Sequence, residues 1–132
     1  MSGIRTFEDL ETWQVSRGLS QRVYGLTSKT AFGKDYGLTD QIRRAAVSIM
    51  TNTAEGFERG SNKDFVRFLF MARGSAGEVR SLLFVALDQK YITEKEFTET
   101  RDLCLRVSYM VWGLIKSLRK KYGWSVGMEE AV

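Results

Sequence analysis

The sequence has no histidine, no proline and only one cysteine, Cys104, among its 132 residues. Without histidine it lacks the commonest general base, the imidazole of most zinc sites and every Ser-His or Cys-His nucleophile pair. A single cysteine cannot form an internal disulfide, and no leader-like segment opens the chain, which predicts a cytoplasmic protein. No apolar run approaches the roughly 20 residues of a membrane span, so we expect no membrane association. We therefore predict a protein that is not an enzyme, with no catalytic residue, metal or cofactor.

What the chain does contain is a mild excess of positive charge. Twenty Lys and Arg against sixteen Asp and Glu give a net charge of +4 and a pI near 9.3. Such a balance permits contact with phosphate backbones but does not require it. The length predicts one globular domain over residues 1–132.

Helical periodicity is the main structural signal, and the absence of proline allows long helices. Apolar residues at spacings of three and four predict four helices and a loose tail, over residues 7–29, 39–57, 62–90, 94–122 and 123–132. The predicted fold is all-α, an antiparallel up-and-down four-helix bundle.

Short turn signals separate the predicted helices. The segment TAFGKDYG, with Gly33 and Gly37, predicts a chain reversal. Gly60 suits a left-handed residue after a helix, and Ser61 suits the cap of the next helix. Thr93 and Glu96 have the spacing of a capping box at the start of the last helix.

The third predicted helix carries apolar and small residues outside its core stripe. We interpret four of them as an interface between copies of the chain: Val66, Phe70, Gly77 and Phe84. Exposed apolar patches of this kind mark partner surfaces, and close helix approach would offset the helical cost of glycine.

Polar residues on the second and third predicted helices fall on borders that can face one another. They are Ser48, Asn52, Glu55, Ser75 and Glu78. Two interpretations stay open: a hydrogen-bonded network that fixes helix register, or a pair of carboxylates for a divalent metal or acid-base chemistry. We favour register, because two carboxylates supply too few ligands for a tight metal site.

Basic residues form the candidate nucleic-acid interface. They are Arg43, Arg44, Arg59, Lys63, Arg67, Arg73, Lys116, Arg119, Lys120 and Lys121. Symmetry in an oligomer would repeat these charges and strengthen their field around phosphates. Tyr109, Trp112 or Trp124 could stack on unpaired bases, although each also suits packing.

One long block carries a resemblance to a known family. The segment DQIRRAAVSIMTNTAEGFERGSNKDFVRFLFMARGSAGEVRSLL, residues 40–83, resembles the hallmark of proteins encoded by 23S rRNA intervening sequences. The flanks FEDLETWQVSRGLSQRVY and YITEKEF resemble the same family. The chain departs from the family where Met50 and the loop AFGK replace frequent prolines, which leaves a kink in the second helix open.

The resemblance implies a bundle assembled as a ring-like homopentamer. The accessory variability protein of diversity-generating retroelements is similar to this family, and implies RNA, DNA or a reverse transcriptase as partners. The resemblance attaches no catalytic role to any residue.

Three functions follow from these observations. The first is a non-enzymatic oligomer that binds RNA or a nucleoprotein through its basic surface. The second is a protein-interaction scaffold with no nucleic-acid role. The third, which we rank last, is a metal-dependent nuclease using Glu55 and Glu78.

Overall fold

Helices account for nearly all of the described chain, residues 3–122 of a computed structural model, with side chains described to residue 120. A 3₁₀ turn, Phe7–Asp9, comes first. The helices are α1 (Glu11–Thr27), α2 (Thr30–Lys34), α3 (Tyr36–Glu58), α4 (Asn62–Asp88) and α5 (Glu94–Tyr122). No strand occurs within residues 3–122. The predicted tail, with Trp124, lies outside the described residues.

The four long helices follow one another around the bundle in the order α1, α3, α4, α5, and α5 returns to α1. Short connections reverse the chain between successive long helices, so these neighbours are antiparallel. With four long helices, α5 is antiparallel to α1 as well. The arrangement is the up-and-down bundle that the sequence pattern predicts, with α2 as an addition at one end.

Apolar stripes of all four long helices meet in one core. Alanines line α3 and α4 where these two helices face each other, so their backbones can approach closely. Larger side chains fill the remaining space, and those without measurable exposure include Leu19, Ile42, Ile49, Leu69, Leu83, Val107, Val111 and Ile115. Burial of this apolar surface is the main stabilising contribution to the fold.

The segment predicted as an open reversal contains α2. Phe32 in α2 is fully buried, and its ring stacks on Tyr91 with centroids 5.3 Å apart. Asp35 caps α3 by accepting a hydrogen bond from the backbone N–H of Leu38 at 3.2 Å, so α3 begins at Tyr36 rather than near residue 39. Gly33 and Gly37 predict a reversal, but burial of Phe32, which directly precedes Gly33, favours a helical turn.

The first helix also begins later than predicted. The Asp9 carboxylate accepts hydrogen bonds from the backbone N–H groups of Arg5 and Thr6, both at 3.0 Å. These bonds close a separate 3₁₀ turn, and they hold the pKa of Asp9 below its ordinary value. Leu10 is then extended (φ −72°, ψ 122°), so α1 starts at Glu11 instead of Phe7.

The two remaining turns use the predicted capping residues. Gly60 has a left-handed backbone (φ 77°), and Ser61 Oγ accepts from the backbone N–H of Asp64 at 3.0 Å. Thr93 and Glu96 form the reciprocal capping box of α5, at 2.9 and 3.0 Å.

Candidate nucleic-acid interface

A ladder of polar side chains joins α3 to α4. The hydroxyls of Ser48 and Ser75 lie 2.9 Å apart, and Asn52 Nδ2 donates to both the hydroxyl and the carbonyl of Ser48 at 2.9 Å. Each group is part-buried and has a partner, which is what a register-fixing network requires.

Below this ladder, the same two helices come together at Gly56. A methyl group at this position would lie 2.7 Å from Phe68 Cβ and 3.1 Å from a ring carbon of Phe65. Only glycine fits such a distance between helices. We call the contact from Ser48–Ser75 to Gly56–Phe68 the α3–α4 seam.

The two carboxylates of the polar line are not brought together. Glu78 accepts from Gln41 Nε2 at 3.2 Å, whereas Glu55 pairs with Arg59 on its own helix at 3.7 Å. With Ser48 opposite Ser75 in antiparallel helices, Glu55 and Glu78 lie on opposite sides of that pair, about 15 Å apart along the axis. The expected meeting of Glu55 with Ser75 and Glu78 is therefore wrong.

That separation removes the geometric basis of the nuclease hypothesis, because one metal ion binds its ligands at about 2 to 2.6 Å. Within the described part of the chain, no group of three Cys, Asp or Glu side chains could hold a metal ion.

Three predicted interface arginines lie in ion pairs along their own helices. Arg44 pairs with Asp40 at 2.9 Å, Arg59 with Glu55 at 3.7 Å and Arg67 with Asp64 at 3.6 Å. Surface pairs of this kind contribute about 0 to 1 kcal/mol, so they can exchange for a phosphate, but their charge is locally compensated.

Two other predicted contact residues are engaged inside the bundle. Arg43 Nε donates to Thr27 Oγ1 at 2.8 Å, and its guanidinium lies 4.5 Å from the Tyr24 ring, so it links α3 to α1. Arg119 is only 3% exposed and lies against Phe70, 4.9 Å from the ring centroid. We correct the assignment of Arg119, because a buried guanidinium cannot reach a phosphate backbone.

The remaining predicted cations are accessible, and two of them surround an aromatic ring. Arg73 and Lys116 lie 4.8 and 5.9 Å from the centroid of Trp112, and the Trp112 ring meets Phe70 edge-on at 6.2 Å. Lys63 and Lys120 are exposed. The side chain of Lys121 lies outside the described residues.

The four predicted oligomer-interface residues do not form one exposed stripe. Val66 is 2% exposed and belongs to the core, so its assignment was wrong: α4 turns a broader apolar face inward than one stripe. Phe70 is half-buried against Trp112, and Phe84 is 48% exposed with its ring 4.8 Å from that of Phe97. Gly77 faces open space.

An open groove between α4 and α5 was not predicted. It encloses about 580 Å³, and among its lining residues are Arg73, Gly74, Gly77, Arg80, Leu105 and Tyr109. We call it the α4–α5 groove. The basic and aromatic residues were visible in the sequence, but their meeting across two helices depends on the register of α4 against α5.

Cys104, which directly precedes the groove residue Leu105 in α5, belongs to the core and is 1% exposed. Burial raises the pKa of its thiol to about 12, while Arg80 acts in the opposite direction and only partly offsets this. The thiol is therefore protonated at neutral pH and is a poor nucleophile.

Comparisons with known proteins give a family and a fold. A family model described as 23S rRNA-intervening sequence protein matches residues 8–113. The chain is similar to a solved structure from Bacteroides thetaiotaomicron, a protein of unknown function from the S23 ribosomal protein family. The two share 22% identity with a TM-score of 0.74, over 80% of this chain and 95% of the other. No curated protein matches the chain.

None of the helices in the described residues is long and apolar enough to cross a membrane.

Proposed function

The chain belongs to the family of 23S rRNA-intervening sequence proteins, as the resemblance of residues 40–83 predicts, and we propose that it is a non-enzymatic RNA-binding protein. Its contact surface is the outer face of α4 and α5. Two adjoining segments of these helices, residues 65–77 and 103–122, contain basic residues but no Asp or Glu. This imbalance is the observation that carries the proposal.

The imbalance is strongest in the second half of α5. Residues 103–122 contain no Asp or Glu, and the basic residues among them are Arg106, Lys116, Arg119, Lys120 and Lys121. Arg106 pairs with Glu11 at 3.5 Å, and Arg119 is buried, so Lys116 and Lys120 supply the accessible charge among the described side chains.

The adjoining part of α4 is also poor in acids. Residues 65–77 contain Arg67 and Arg73 but no Asp or Glu. Because α4 and α5 are antiparallel, with Phe70 against Trp112, these segments lie side by side. The cationic face therefore centres on Arg73 and Lys116, which meet at the Trp112 ring. Lys63 and Arg67 add charge at the start of α4, where Asp64 pairs with Arg67.

Such a face suits a phosphate backbone better than a defined small anion. Lysines and arginines spaced along two helices neutralise several phosphates, and release of the phosphate counterions then favours binding. This mode makes affinity fall steeply with salt and gives little base specificity.

The decisive experiment compares two double variants with equal net charge. Lys116→Gln with Lys120→Gln removes two charges from the proposed face, while Lys34→Gln with Lys95→Gln removes two at the opposite end. Affinity for a fluorescein-labelled single-stranded RNA is measured by anisotropy between 25 and 200 mM salt.

The first double variant should bind more weakly, with a log–log salt slope smaller by about 1.4, while the second should match wild type. Equal losses in both variants would place the contact elsewhere. Absence of RNA binding by the wild type at low salt would end the proposal and favour the protein-interaction scaffold.

We further propose that copies of the chain associate, which would repeat the cationic face around a symmetry axis. The support is two exposed apolar side chains near the end of α4, Phe84 and Val85, which are 48% and 41% exposed. The family resemblance implies five copies. Multi-angle light scattering of Phe84→Glu should give a lower mass than wild type, and an unchanged mass would remove Phe84 from the interface.

A further inference from the structure

The α4–α5 groove has an unusual floor for a helix pair. A methyl group built on Gly74 or Gly77 has no atom within 4 Å, so the α4 backbone is uncovered at both positions. Glycine within a helix is destabilising relative to alanine, and no neighbouring atom within 4 Å of the added methyl groups offsets that cost in the described chain. The uncovered backbone leaves room for a flat group to approach.

Two arginines border this floor on the α4 side. Arg73 and Arg80 are seven residues apart and therefore share one face of the helix, separated by about 10 Å along its axis. Among the described residues neither forms an ion pair. Arg73 is held over the Trp112 ring at 4.8 Å, which orients its guanidinium beside the groove.

A tyrosine forms the opposite border. Tyr109 on α5 lines the groove and is 71% exposed, the most exposed aromatic side chain of α5 among the described residues. No hydrogen bond or ring contact within the described chain engages it. Its ring is consequently available to stack on a planar ligand.

An aromatic face beside two uncompensated guanidiniums, over a floor without side chains, matches the chemistry of a nucleotide. Bases stack on aromatic rings irrespective of sequence, and arginine binds phosphate through two parallel hydrogen bonds. No Asp or Glu lines the groove among the described residues, so its charge is complementary to a polyanion. A duplex keeps its bases stacked inside and offers only its backbone, whereas an unpaired segment offers both groups.

We propose that the α4–α5 groove binds an unpaired segment of RNA, with a base stacked on Tyr109 and phosphates at Arg73 and Arg80. The proposal rests on the RNA-binding function above and adds a preference for single strands that a purely electrostatic face would lack.

The test uses the full chain and one RNA sequence, single-stranded and as a duplex, with anisotropy as the readout. Tyr109→Ala should weaken single-strand binding by about 5- to 100-fold, the range that loss of one stacked base gives. Tyr109→Phe keeps the ring and should stay within about twofold of wild type. Duplex binding should not change in either variant. The matched control is Tyr36→Ala, since Tyr36 is 80% exposed but far from the groove in sequence and fold.

A second pair of variants fills space instead of removing a ring. Gly77→Leu occupies the groove floor, while Gly25→Leu adds the same group to α1, where a side chain also meets nothing within 4 Å. Gly77→Leu should lose single-strand binding to the same extent as Tyr109→Ala, and Gly25→Leu should retain it. Circular dichroism melts confirm that both variants fold.

The outcomes separate the groove from the cationic face. If wild type binds RNA but the groove variants match their controls, the groove proposal is overturned and the RNA-binding function stands. If wild type binds neither form of RNA, both fail. If Tyr109→Ala lowers the native mass in light scattering, the groove is an interface between copies and the proposal is overturned.

Discussion

Along α3, α4 packs so closely that a methyl group on Gly56 would lie 2.7 Å from Phe68 Cβ, whereas along α5 the glycines of α4 face open space. The first contact is the α3–α4 seam, closed by serine hydroxyls and by alanines. The second is the α4–α5 groove, bordered by arginines and an exposed tyrosine. The contact of α4 with α3 thus stabilises the fold, whereas the outer border between α4 and α5 stays accessible.

The difference shows that residue type alone does not give a residue its role. Serine and glycine occur in both regions, yet Ser48 bonds across the seam while Ser108 lines the groove. How deeply a residue is buried between its helix and the neighbouring one decides whether its side chain stabilises the fold or remains available to a ligand.

The largest effect should come from glycine replacement. We expect Gly56→Ala to lower the free energy of unfolding by about 3 kcal/mol, because the new methyl group would contact Phe68 Cβ, which cannot rotate away. Gly77→Ala, the matched control, should raise it by about 0.5–1 kcal/mol, since alanine favours the helix and nothing obstructs it. Urea unfolding measures both, and changes of the same sign would contradict the division between seam and groove.

A second prediction tests whether water is excluded from Cys104, which directly precedes the groove residue Leu105. Burial raises the pKa of Cys104 from 9.0 to about 12, so the thiol stays protonated in the folded chain while it ionises in the unfolded chain. Below pH 9 the thiol is protonated in both states and the free energy of unfolding is unaffected. As pH rises from 9 towards 12, ionisation of Cys104 in the unfolded chain lowers the free energy of unfolding. At pH 10 the loss should be about 1.4 kcal/mol.

Urea unfolding of wild type and Cys104→Ala at pH 8 and pH 10 isolates this contribution, because other titrating groups are common to both. The wild type should lose more stability than the variant over this interval. Parallel losses would mean that water reaches the Cys104 thiol in the folded chain.

The third prediction concerns the hydroxyl pair of the seam. Ser48→Ala removes the partner of Ser75 and of Asn52, and should cost about 0.5–1 kcal/mol. Ser75→Ala should cost a similar amount, and the double variant less than the sum, because the two hydroxyls share one bond. Ser108→Ala in the groove is the control and should change stability by less than about 0.5 kcal/mol. Strict additivity of the two seam variants would show that the hydroxyls do not interact.

Local signals in the sequence were sufficient for most of the fold. Stripes at helical spacing predicted the four long helices, and Thr93 with Glu96 predicted the start of α5, because capping depends on residues three apart. The same local logic failed at Phe32, where burial against Tyr91 outweighs the turn preference of the glycines that follow it, Gly33 and Gly37.

The site was less predictable, because its parts lie on different helices. A glycine in a helix signals either close approach or exposed backbone, and only the register shows that Gly56 is the first case and Gly77 the second. Likewise, Arg119 falls in a basic run of the sequence, yet its angle on α5 turns it inward against Phe70.

The smallest stability effect should come from the groove arginine. The Arg73 guanidinium makes a cation–π contact with the Trp112 ring. At exposed sites such a contact stabilises a protein by about 0.5–1 kcal/mol. Glutamine keeps part of the packing against the ring, so Arg73→Gln should lower the free energy of unfolding by less than about 0.5 kcal/mol, yet reduce the salt slope of single-strand RNA binding by about 0.7. Arg44→Gln removes an exposed arginine paired with Asp40 on α3 and serves as the control for charge. A loss of stability in Arg73→Gln as large as in Ser48→Ala would place the groove among the stabilising contacts and remove the distinction between the two sides of α4.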